Sequence, residues 1–221
     1  MLSKQIPAWN ASCPVSGSMM KSTVVPAMLA GFVALGGCAK VRYPDYYTLS
    51  LQNPVSRHES APIAGTVAVR EFRAPQYLRQ GPIVYRPKLE QIDFYDYHHW
   101  AEDPRRIVTA AIVRELQEVF ETAELYDGRG GANFLLTGSL DHLEEIDRGI
   151  SISVEVEISA KLQNLKSGDV IWSGTSSKTS NVEQRSVPGI VAEMSHDLGE
   201  AAGQLVSSLR SRVSQRSLST P

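Results

Sequence analysis

One alternating stretch constrains this chain more than any other. From Ile150 to Leu162 the even positions Ile150, Ile152, Val154, Val156, Ile158, Ala160 and Leu162 are apolar, and the odd positions Ser151, Ser153, Glu155, Glu157, Ser159 and Lys161 are polar. Side chains two apart point the same way along a strand, so this reads as a long strand with one dry face and one wet face. Phe134 to Glu145 before it and Asp169 to Thr179 after it supply partners, across turns at Asp147-Arg148-Gly149 and Lys166-Ser167-Gly168-Asp169. Short turns enforce antiparallel pairing, which gives a three-stranded meander.

The dry face needs a covering layer, and two amphipathic helices provide it. Asp103 is a good N-cap, and Pro104 suits the first helical position. Val108, Ile112, Leu116 and Val119 then recur at three or four residues, with Ala111 and Phe120 widening the stripe and Asp127-Gly128-Arg129-Gly130-Gly131 stopping the helix. A second helix from about Pro188 carries Val191, Met194, Leu198, Ala201 or Ala202, Leu205 and Leu209; Ser211 to Pro221 reads as a frayed tail. Upstream, strands are expected at 46–51 and 66–72, with a loop from Asn53 to Gly65 between them. A hairpin of 82–86 and 91–97 would turn at Pro87-Lys88. The expected class is α+β, an antiparallel sheet open to some mixed pairing with both helices on one face.

The front of the chain is different. A short basic start at Met19-Met20-Lys21 leads into an almost wholly apolar run from Val24 and ends on Leu35-Gly36-Gly37-Cys38. A charged start, an apolar centre and a small-residue end make a secretory signal. The ending resembles a bacterial lipoprotein signal, Leu-x-(Gly/Ala)-Cys. That resemblance implies cleavage before Cys38, a diacylglyceryl thioether on its sulfur and an acyl chain on the new amino terminus. A plain cleaved signal and an anchoring helix are the competing readings. A membrane span wants about 20 apolar residues and this run has roughly 14. Residues 1–18 exceed what a signal needs, so a start at Met19 or Met20 is the alternative to the first methionine. Residues 1–37 are then the discarded signal, 38–45 a lipidated tether, 46–212 one domain and 213–221 a flexible tail. In the sorting rule that travels with such signals, Asp after the cysteine retains a protein at the inner membrane; Ala39 therefore implies the periplasmic leaflet of the outer membrane.

Charge and cysteine narrow the functions. The net charge is −2, and losing Lys4 and Lys21, the charged residues before Cys38, takes it to −4. Basic runs are lacking, so nucleic acid is a poor partner. Cys13 and Cys38 are the two cysteines, and Cys13 falls in the signal, so the mature domain has no internal disulfide and no thiolate metal site. His98-His99 on a strand point to opposite faces and cannot easily share an ion. His142 and His196 stand alone, and no nucleophile motif accompanies His196-Asp197. The glycines of 128–131 lack the Lys-Ser/Thr of a phosphate loop. Glu144, Glu145, Glu155 and Glu157 read as a solvated sheet face or its turn. Trp100 and Trp172 read as packing residues. No metal site and no enzyme is expected.

Tyr46-Tyr47-Thr48-Leu49 follows soon after Cys38. Tyr77-Leu78-Arg79, Ile83-Val84-Tyr85-Arg86 and Phe94 to Trp100-Ala101-Glu102 then precede a long helix. In that order and spacing, residues 38–212 resemble the ABC-type transport auxiliary lipoprotein family, which includes the third component of paraquat-inducible-type systems. The resemblance implies an outer-membrane lipoprotein without ATPase activity. It would accompany a transporter whose membrane-anchored partner carries mammalian-cell-entry (MCE) domains and which moves lipids or other hydrophobic molecules between membranes. The segment from Tyr77 to Trp100, with Tyr77, Leu78, Tyr85, Arg86 and Trp100, would contact that partner or a second copy of the chain. The alternative is a lipid carrier with its own pocket between helices and sheet.

Overall fold

The structure, a computed structural model, describes residues 42–51 and 61–218. Leu35, Gly36, Gly37 and Cys38 lie outside the described residues. Among the described residues the architecture is α+β: eight strands in one mixed sheet and two long helices. The strands are β1 (Asp45–Tyr47), β2 (Ile63–Val69), β3 (Pro82–Lys88), β4 (Gln91–Trp100), β5 (Phe120–Leu125), β6 (Phe134–Asp147), β7 (Ile152–Asn164) and β8 (Val170–Asn181). The helices are α1 (Pro104–Gln117) and α2 (Val187–Leu218), and a 3-10 turn spans Gln76–Arg79.

β7 pairs antiparallel with β6 along one edge and with β8 along the other. Its dry row is Val154, Val156, Ile158, Ala160 and Leu162, all buried. Ile150 is not part of that row: it is 93% exposed in the turn, and the strand begins at Ile152. The sheet is mixed because β6 offers its second edge to two strands at different heights. β2 pairs parallel with its start, Val67 opposite Phe134, and β3 pairs parallel with its end, Tyr85 opposite Glu145. β5 adds parallel to β2, β4 antiparallel to β3, and β1 parallel to β4. Short turns announce antiparallel neighbours; parallel ones meet only through long connections, which leave no local mark.

Several boundaries differ from the sequence reading. The first strand is three residues, Asp45–Tyr47, and the second starts at Ile63. Pro87 and Lys88 belong to β3, and the turn is Leu89-Glu90. α1 stops at Gln117, and Phe120–Leu125, expected as the end of that helix, is strand β5. Val119 and Phe120 continue the apolar spacing of α1, so periodicity alone cannot see the break. The alignment of β5 with β2, Val67 opposite Ala123, decides it. α2 continues through Leu218, past the point where a frayed tail was expected.

Local chemistry explains the helix starts. The Asp103 carboxylate accepts the Arg105 backbone N–H at 3.0 Å, and Pro104 opens α1 where its missing N–H costs nothing. Both helices cover the dry side. Val108, Ile112 and Leu116 from α1, and Met194, Leu198 and Ala201 from α2, are at 0% exposure in one core with the sheet. α2 is also laced to edge strand β8 by polar pairs. Ser176 Oγ donates to Gln204 at 3.2 Å, Lys178 meets Glu200 at 2.5 Å, and Ser180 Oγ donates to Asp197 at 2.8 Å. Two strand residues rise about 6.6 Å, and the helix steps of four and three residues rise about 6 and 4.5 Å, so successive rungs stay within side-chain reach.

Gly138 on β6 sits under the ring of Phe72. A Cβ there would collide with that ring and lie 2.7 Å from the Ser159 carbonyl oxygen. Gly138→Ala is expected to cost about 1–3 kcal/mol, as overpacked cores do. It should appear as a lower guanidinium midpoint with an unchanged slope.

Candidate functional site

The five residues that the sequence marks for partner contact do not form one exposed patch. Leu78 is 1% and Trp100 6% exposed; both are core. Tyr77, in the 3-10 turn, is half-buried, and burial pushes its hydroxyl above the usual value, with Glu144 adding to the effect. Tyr85 is half-buried, its ring 5.0 Å from that of Tyr95. Arg86 is committed to Glu144. Its Nη2 donates to both carboxylate oxygens at 2.9 and 3.0 Å and its Nε to Oε1 at 3.2 Å, while Nη1 caps the Leu89 carbonyl at 2.9 Å.

Glu144 and Glu145 depart from the solvated face expected of them: they are 0% and 2% exposed. A bulge between Leu140 and His142 shifts the strand's parity, so Leu140 and Leu143 both face the core. Glu145 then falls on the dry side opposite Val154, and Glu144 on the other side opposite Glu155. Each has its own partner. Glu144 has Arg86, with His142 Nδ1 at 2.8 Å; Glu145 accepts the Tyr95 hydroxyl at 2.7 Å. Burial raises the Glu145 carboxyl above its ordinary 4.5, against the opposing pull of the Tyr95 hydrogen bond. Tyr95 is pushed well above the usual tyrosine value, first by burial and then by its bond to Glu145.

His142, Glu144 and Glu155 bring three donor atoms within 4.8 Å of one another, as do Glu193, His196 and Asp197 on α2. In the first set the Arg86 guanidinium already neutralises Glu144, which opposes a cation. In the second, Asp197 is fully buried and spends Oδ1 on Ser180, and His196 lies at the surface. The second Asp197 oxygen, Oδ2, is buried without a hydrogen-bond partner.

Two clefts open on the sheet. One of about 720 Å3 opens on the side of the sheet away from the helices, with Arg70, Arg73, Lys161, Ser139, Ser159 and Thr175 in its wall. A second, of about 660 Å3, runs past Arg86, Leu89, His142 and Glu144 at the far end of the same strands. Both are open and have mixed polar and apolar walls. No described helix is long and apolar enough to cross a membrane.

The molecule is thus an α+β domain with helices sealed onto one sheet face and a polar, partly cationic surface on the other. Residues 47–206 match the family described as the ABC-type transport auxiliary lipoprotein component, and the chain belongs to that family. No match was found among curated proteins. Protein XCC0632 from Xanthomonas campestris is similar in structure with a TM-score of 0.69 and 17% identity, over 79% of this chain and 99% of that one. An uncharacterized protein of solved structure follows at TM-score 0.58 and 13% identity, over 76% and 99%. At such identities the likeness concerns the fold.

Two outcomes follow from the acidic pair. Arg86→Met leaves Glu144 buried without its counter-charge and is expected to cost about 3–5 kcal/mol in denaturant unfolding. Glu145 has the opposite character. The folded protein holds that proton to higher pH than the unfolded chain does. Its contribution is therefore full below pH 4.5 and is lost as pH rises through the raised folded value. In Glu145→Gln the difference in stability from wild type should shift in the variant's favour between acid and neutral pH, measured by denaturant midpoints across that range.

Proposed function

We propose that this chain is a lipoprotein anchored through Cys38 in the periplasmic leaflet of the outer membrane. In this reading it is the non-catalytic auxiliary component of an ABC transport system with an MCE-domain partner, moving lipids or other hydrophobic molecules between the two membranes. The carrying observation is the family match over 47–206, which begins shortly after the Leu35-Gly36-Gly37-Cys38 ending. The anchor is a covalent diacylglycerol with an N-linked acyl chain on Cys38. Each buried methylene contributes about 0.8 kcal/mol, and more than one chain makes the attachment stable.

Between adaptor and carrier, the packing favours the adaptor. The helix–sheet interface is filled by Met194, Leu198, Ala201 and Leu162, each at 0% exposure, and an acyl chain would have to displace them. The open sheet face is the docking surface in this reading, with Arg70, Arg73 and Lys161 offered to acidic groups of the MCE-domain partner.

Affinity purification of the membrane-extracted wild type beside Cys38→Ala, read by mass spectrometry, tests the anchor and the partner together. Acyl mass on Cys38 and a co-purifying MCE-domain protein are expected. An unmodified cysteine with no transporter component overturns the reading, and lipid bound beyond the anchor would restore the carrier. Arg73→Glu combined with Lys161→Glu should abolish partner recovery while leaving acylation and melting temperature unchanged.

A further inference from the structure

The first described residue, Arg42, is four positions after Cys38. A chain spans at most about 3.6 Å per residue, so the Cα of Arg42 lies within about 14 Å of that of Cys38, whatever course residues 39–41 take. The headgroup layer of a bilayer is itself about 5–8 Å deep on each side. A domain held by acyl chains on Cys38 therefore has Arg42 in or just above the headgroups, and the residues around it come along.

Exposed aromatic side chains cluster around Arg42. Tyr43 is 78% exposed, Tyr46 on β1 66% and Tyr97 on β4 39%. The Arg42 guanidinium lies 4.4 Å from the centre of the Tyr97 ring, and Tyr46 stacks against His99, its register partner, at 5.9 Å. A single exposed aromatic needs no explanation. Three tyrosines with an arginine laid over one of them, at the chain end nearest the anchor, form a coherent surface. Tyrosine and arginine are the residue types that settle at a membrane–water interface, with an apolar body toward the acyl chains and a polar tip in the headgroups. The position also suits a seat. β1 is a lateral edge of the sheet, and β8, the edge strand laced to α2, lies on the opposite side.

We propose that the β1–β4 edge is a membrane seat in which Arg42, Tyr43, Tyr46 and Tyr97 rest in the headgroup layer of the bilayer that holds the Cys38 acyl chains. This inference rests on the acylation of Cys38. The anchor alone would leave the domain swinging on a short cord. The seat fixes its orientation and turns β8 away from the anchoring membrane.

The cysteine inventory makes the test clean. Cys13 falls in the segment that precedes the anchor, and the sulfur of an acylated Cys38 is a thioether, so a newly introduced cysteine is the one free thiol. Tyr43→Cys, Tyr46→Cys, Tyr97→Cys and Val170→Cys would each be spin-labelled in the full lipoprotein and reconstituted into vesicles of phosphatidylethanolamine and phosphatidylglycerol. All four positions are exposed, so the fold should tolerate the labels. Collision rates with oxygen and with an aqueous nickel complex report depth. Labels at 43, 46 and 97 are expected to show several-fold lower access to nickel than the label at 170 on β8, with oxygen access retained. Intact mass of the same samples reports acylation independently. Acylated protein with all four labels equally open to nickel overturns the seat and leaves the anchor standing; unacylated protein overturns both. Labels that stay aqueous on vesicles and become immobile when a membrane extract is added also overturn the seat, marking the patch as a protein contact.

Discussion

The sheet depends on the backbone of β6. One of its edges is taken by β7 from Phe134 to Asp147, and the other is shared between two strands that never pair with each other. β2 takes the lower part, and the chain beyond it continues the alignment: Arg73 donates its N–H to the Gly138 carbonyl and accepts from the Leu140 N–H. β3 takes over at Glu145. A strand of fourteen residues is long for a globular protein, and here the length is what allows one strand to hold β2–β5 and β3–β4–β1 in a single sheet. Both helices then lie on a surface that no shorter strand would present.

Much of this was legible from local chemistry. The alternation along β7, the Asp103-Pro104 start of α1 and the apolar spacing of α2 are each written in consecutive residues, and each corresponds to a described element. What stayed hidden is what depends on distance. β5 carries Glu, Thr, Ala and Leu in a continuation of a helical rhythm, and only alignment with β2 makes it a strand. The parallel pairings leave no turn to read. The burial of Glu144 comes from Arg86, 58 positions earlier in the chain. One clue was available. Leu140 and Leu143 cannot both face a core on a regular strand, so their spacing signals a bulge and a change of face between them.

The two adjacent glutamates show how burial assigns different characters to the same residue type. Successive side chains on a strand diverge, so Glu144 and Glu145 answer to separate surroundings. Glu144 has a guanidinium that grips both of its oxygens. Glu145 has a phenol, which can hydrogen-bond to a carboxylate yet brings no positive charge to offset the loss of water. The pair sits where β3 joins β6, at one end of the cleft lined by Arg86 and His142. A polar group buried at such a joint ties strand register to side-chain chemistry: moved by one residue, either carboxylate would face the other's partner.

β1 also has a mechanical meaning. It is three residues long, pairs with β4 alone, and is secured by the Ala101 N–H to the Tyr47 carbonyl and by the Tyr47 hydroxyl against His98. Just beyond it, Leu49 enters the core and the Ser50 N–H reaches Ser195 on α2. Any tension arriving from the amino-terminal side enters the fold through this short strand. Pulled along its axis, β1 must break its hydrogen bonds together; pulled away from the sheet, it can yield them one at a time. The direction of load at Arg42 thus decides whether β1 acts as a clasp or as a zip, with Leu49 and Ser50 as the stop behind it.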